Sequence, residues 1–143
     1  MTSNPQLSNF ETFIKEQISQ LHSKVVIATN DKGLKVNNFQ IVEQDKSWSV
    51  VNSNGNEISK VNSKRLAVLF AALATKKKFD TLRVVDCIDK QLLVLKHDKD
   101  FFENKISSNY KRELFEDRLS RTDDEMSKVY SQISELEKSA GLQ

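Results

Sequence analysis

Apolar residues near the start of the chain recur at steps of three and four. Phe10, Phe13, Ile14, Ile18 and Leu21 share one face of a 3.6-residue helix. Ser8 and Glu11 precede them as a capping box, the hydroxyl accepting from an exposed backbone N–H and the carboxylate reaching back to the Ser8 N–H. The pattern predicts a helix from about Asn9 to His22, after a polar tail that holds the only proline, Pro5.

The period then shortens. Val25–Ile27 reads as a short strand and Asn30–Gly33 as a turn. Val36–Glu43, with Phe39 and Ile41 on one face, and Trp48–Asn52 read as two strands joined through Gln44–Lys46. Asn54-Gly55 is the strongest turn signal, because a type I′ hairpin needs positive φ at both central residues. Glu57–Val61 would return, so residues 36–61 predict a small antiparallel meander.

Ser63 stands at the N-cap of a helix whose buried stripe is Leu66, Leu69, Phe70 and Leu73. Ala67, Ala71, Ala72 and Ala74 allow close approach to the sheet, and Lys76, Lys77 and Lys78 complement the C-terminal end of the helix dipole. The stretch 79–106 is ambiguous. Thr81–Ile88 and Leu92–Leu95 fit two strands, yet Leu82, Val85, Ile88, Leu92 and Leu95 repeat by threes and fours, and no glycine or proline interrupts them. Helix is preferred, ending at His97-Asp98, with Asp98 capping a short helix that carries Phe101, Phe102 and Ile106.

Phe115, Leu119, Thr122, Met126, Val129, Ile133, Leu136 and Ala140 follow alternating steps of four and three, the a/d seam of a coiled coil. A helix from about Ser108 to Ser139 follows, with Gly141 at its stop. Thr122 and Glu125 also form a capping box that marks a break near Arg121, but the seam keeps its phase across it. The expected class is α+β: a small antiparallel β-meander packed on helices, then a long coiled-coil-like C-terminal helix. Its parts are an N-terminal amphipathic helix (1–23), an α+β core (24–106) and an amphipathic C-terminal helix (107–143).

Composition narrows the function classes. At 38% hydrophobic and 29% charged, with net charge +2, the chain suits a modest core with long solvated helices. Cys87 is the single cysteine, which excludes an intramolecular disulfide and fits a reducing compartment. No apolar run approaches the roughly 20 residues of a membrane span, and Met1–Phe10 lacks the features of a signal peptide. His22 and His97 have no ligand partner at metal spacing, and three glycines cannot build a phosphate loop. Asp86 and Asp89, three apart, are the nearest approach to an acid–base pair. Asp123-Asp124-Glu125 lacks the spacing of a calcium loop. The expectation is a protein with no catalytic residue, cofactor, metal, membrane contact or small-molecule substrate.

Two surfaces remain. The C-terminal seam, through Phe115, Leu119, Met126, Val129, Ile133 and Leu136, predicts homo-oligomerisation or capture of a helical protein partner. Packing against the chain's own 79–106 region explains the same pattern equally well. Lys60, Lys64, Arg65, Lys76, Lys77 and Lys78 form a run of cations with no acid among them, the alternative candidate for nucleic acid. The one aromatic residue among them, Phe70, belongs to the buried stripe, so none is offered for the base stacking that a single-strand binder requires. Trp48 reads as an anchor of the meander.

The order of parts, a Trp48 to Asn54-Gly55 hairpin, an alanine-rich helix and a charged helical tail, resembles small proteins of tailed bacteriophages of the marine-cyanophage type. The resemblance spans about 36–139 and rests on layout and composition. It implies a virion or assembly component made in the cytoplasm of an infected bacterium, and it carries no catalytic residues. The leading expectation is a structural or assembly protein acting through helix-mediated association.

Overall fold

A computed structural model describes residues 25–30 and 33–142. The helix expected over 9–22 lies outside them. Five strands, β1 (Ile27–Asn30), β2 (Gly33–Val36), β3 (Phe39–Gln44), β4 (Ser47–Val51) and β5 (Glu57–Val61), precede three helices, α1 (Lys64–Thr75), α2 (Phe79–Ser107) and α3 (Arg112–Ser139). The strands form one antiparallel sheet in the order β1-β2-β3-β4-β5, so the α+β class and the meander hold.

The turns explain where the strands end. The expected Val36–Glu43 strand is two strands, because Asn37 takes a left-handed φ of 52° between the paired residues Val36 and Phe39. Asn37 also holds β1, donating its N–H to the Val26 carbonyl at 2.9 Å and accepting from the Val26 N–H at Oδ1. Asp45 and Lys46, both left-handed at 49° and 68°, form the type I′ turn of this sheet. The Asn54-Gly55 turn is of another kind. Only Gly55 is left-handed there, at 84°. The Asn52 carboxamide organises that loop by accepting from the N–H groups of Asn54 (3.1 Å) and Asn56 (2.9 Å). Asn52 opens this turn, its carbonyl also accepting from the Gly55 N–H at 3.0 Å.

α1 lies between the sheet and the other two helices. Its apolar residues from Leu66 to Ala74 are buried except Val68, which is half-buried. A helix covered on both sides reads as apolar nearly all round, and the alanines let both layers approach. Ser63 caps it, its Oγ accepting from the Leu66 N–H at 3.3 Å. Val36, Ile41, Val50 and Val61 supply the sheet side of the core.

The stretch 79–106 is a single helix. α2 runs through His97-Asp98 without a break, because Lys99 and Phe102 are still needed against α3: Lys99 Nζ lies 3.2 Å from Asp123, and Phe102 packs on Phe115 with ring centroids 5.9 Å apart. α3 is likewise continuous past Arg121 and begins at Arg112, after a left-handed Lys111.

All three helices stop in the same way. The N–H two residues past the C-cap returns to a carbonyl five residues earlier: Lys78 to Leu73 (2.9 Å), Tyr110 to Lys105 (3.3 Å) and Leu142 to Glu137 (2.9 Å). The residue before each of those donors is left-handed: Lys77, Asn109 and Gly141. These are Schellman motifs, and glycine fills the strained position in only one of them.

Candidate partner-binding surface

The seam of α3 faces inward. Val129, Ile133 and Ala140 belong to the main core with Val85, Ile88, Leu92 and Leu95 of α2. Met126 and Leu136 pack against that core, Leu119 is half-buried, and Phe115 is 7% exposed. Of the two explanations of the heptad pattern, the structure takes the internal one. α2 and α3 form an antiparallel hairpin, and the six residues expected to meet a partner fill the space between its arms. The physical reason is local. The short Ser108–Lys111 connection favours an antiparallel neighbour, and the apolar stripe of α2 is there to receive the seam.

The cations at 60–78 do not form one surface. Arg65 reaches α3, with Nη2 2.6 Å and Nε 3.0 Å from the Glu137 carboxylate and Nη2 3.2 Å from Ser134 Oγ. Lys78 Nζ donates to the Ser139 carbonyl at 2.9 Å and to its hydroxyl at 2.8 Å, neutralising the negative end of α3. Lys64 Nζ stands 5.7 Å from the Trp48 ring centroid. Lys60, Lys76 and Lys77 remain, at opposite ends of a helix roughly 18 Å long. Trp48 is half-buried and packs against the core, as a meander anchor should.

The carboxylates of Asp86 and Asp89 are fastening points. Asp89, 7% exposed, accepts from the Asn62 N–H at 2.9 Å and from its amide side chain at 3.1 Å, and Asp86 accepts from Ser59 Oγ at 3.2 Å. Together they tie the first half of α2 to the end of β5. Among the described residues no group of three His, Cys, Asp or Glu is placed to hold a metal ion, and no helix is long and apolar enough to cross a membrane.

The far end of the hairpin is the feature that sequence reasoning missed. The main core stops at Leu95 on α2. α2 continues through 96–107, roughly 18 Å farther. Its end carries a separate aromatic cluster. Phe101 meets Phe102 and Phe115 edge-on at 5.8 and 6.0 Å, and Tyr110 lies 6.5 Å from Phe115. Three cations lie over these rings. Lys105 covers Phe101 (5.4 Å) and Tyr110 (5.5 Å), Lys111 covers Tyr110 (5.5 Å), and Arg118 covers Phe115 (5.9 Å). Phe115 is buried at the centre, while Phe101, Tyr110 and Leu114 stay 46%, 54% and 43% exposed. The signal was present as four aromatic residues between 101 and 115, divided among segments that only the hairpin brings together.

Comparison with protein families, curated proteins and solved structures returns no match to this chain.

Proposed function

We propose that this protein is a non-enzymatic structural or assembly factor that binds another protein through the projecting part of its α2–α3 hairpin. One observation carries the reading: an aromatic cluster, half exposed, at the end of a two-helix arm that reaches past the core. Single exposed apolar residues are ordinary on any surface. Phe101 and Tyr110 are exposed together against one buried ring, Phe115, and exposed aromatic side chains are enriched at binding hot spots. Phe115 is buried between the two helices of the arm, and the exposed Lys99–Asp123 ion pair also links them.

The test is a photocrosslinking amino acid placed at Phe101 or Tyr110 in the cells that naturally make the protein. A specific adduct with a second protein at these positions, absent when the probe sits at the exposed Lys35 on the sheet, supports the reading. No adduct at either tip position overturns it.

A further inference from the structure

Strands about 4.8 Å apart make a five-stranded sheet roughly 19 Å across, whereas a helix is about 10 Å wide. One helix cannot cover the whole of it. α1 packs chiefly beneath β4 and β5, where Val50 and Val61 are 0% and 1% exposed. Cover thins toward β1. Ile27 and Thr29 stand opposite Val36 and Leu34, on the core side of the sheet. Yet Ile27 is 48% exposed, Thr29 is exposed too, and Leu34 is only half-buried.

The uncovered strip is a groove. Two adjoining cavities of about 480 and 380 Å³ lie along it, and Lys64 borders both. Ile27, Val68 and Leu142 wall the first, and Thr29, Leu34 and Trp48 the second. The charges on the rim, Arg65 and Glu137, are paired to each other. What the groove lacks is an apolar occupant. It lies at the end of the hairpin opposite the aromatic tip.

The chain carries such an occupant next to it. The helix expected over 9–22 presents Phe10, Phe13, Ile14, Ile18 and Leu21 on one face. A helix of that length is marginal by itself in water, so this face needs a surface to cover it. Residues 23–26 separate it from the start of β1 at Ile27, an ordinary length for a helix-to-strand connection. Val25, two residues before Ile27, already packs on the core, so the chain enters β1 from the groove side. A tether this short holds the helix near the groove at a roughly millimolar effective concentration. We infer that residues 9–22 form a second helix beneath the sheet and fill this groove. Lying along β1 after so short a connection, the helix runs antiparallel to it. Ile18 and Leu21 then meet Ile27, Val68 and Leu142, and Phe10 and Phe13 reach toward Leu34 and Trp48.

The test uses the full-length protein in a Cys87→Ser background, with a nitroxide attached at Lys15→Cys on the polar side of the expected helix. Amide spectra are compared before and after the nitroxide is reduced. The amides of Ile27, Val68 and Leu142 should lose most of their intensity, and those of Asn104 and Tyr110, roughly 40 Å away along the hairpin, should keep theirs. Ile27→Asp should abolish the loss at Val68 and Leu142. Val26→Asp, at a side chain 58% exposed on the opposite face, should leave it intact. Both variants should keep the amide shifts of Val129 and Ile133. Unchanged groove amides would leave the helix to another protein and overturn the assignment, and broadening centred on a different surface would overturn it as well. So would broadening of an isotope-labelled copy without nitroxide when it is mixed with a nitroxide-bearing one, because the helix would then sit on a second molecule.

Discussion

Arg65 of α1 grips the Glu137 carboxylate near the end of α3 through two nitrogens, at 2.6 and 3.0 Å. These residues lie 72 positions apart, and the pair ties the end of the hairpin to α1. Glu137's hydrogen bond holds the Arg65 guanidinium above its ordinary range, and burial opposes this only in part. A raised pKa means that the contribution is complete at neutral pH and is lost only as pH climbs past the guanidinium range. Arg65 is 42% exposed and solvent screens the pair, so Arg65→Ala should lower stability by at most about 1 kcal/mol, and the loss should be as large at pH 10 as at pH 7. Arg65→Lys should recover only part of it, since an ammonium cannot offer the planar fork. Urea unfolding at the two pH values checks both.

The hairpin's inner seam is ordinary core, and this has a sharp consequence. A chain ending at Ile106 loses Val129, Ile133 and Ala140 and uncovers Val85, Ile88 and Leu92. It should show no cooperative unfolding transition. Within the full chain, Ile133→Ala should cost about 3 kcal/mol, since a residue 1% exposed leaves a cavity. Val94→Asp, on the outer face, should stay within about 0.5 kcal/mol. Thermal melts of the three variants separate the two faces. A folded truncation would contradict the packing described.

Lys77 holds the left-handed position that ends α1, with φ at 58°. Glycine adopts that conformation without a side-chain clash. Lys77→Gly should raise stability by about 0.5–1 kcal/mol, after allowing for the greater freedom of glycine in the unfolded chain. The check is the shift in the thermal midpoint. Lys77→Val, with a branched Cβ at the same φ, should lower it.

Several elements were legible in the sequence because their causes are local. Ser63 capping α1, the return of β5 at Glu57–Val61 and the stop at Gly141 each depend on a few neighbouring residues, and each stands where those residues place it. The split at Asn37 was not legible, because an asparagine in a left-handed turn looks like an asparagine in a strand until Val26 arrives to hydrogen-bond it. The break expected at His97-Asp98 failed for a related reason. Local helix-ending residues were outweighed by Phe102 and Lys99, whose partners Phe115 and Asp123 belong to another helix.

By itself the sequence determined the α+β class, the returning strand at Glu57–Val61, the capped helix after Ser63 and a long apolar seam on the last helix, because periodicity, caps and turns act over a few residues at a time. Only the tertiary structure decided what fills that seam, which cations are committed to α3 and which aromatic residues meet at the tip. A heptad pattern states that a face must be covered. What covers it depends on how short the connection at Ser108–Lys111 is and on which surfaces the rest of the chain has left bare.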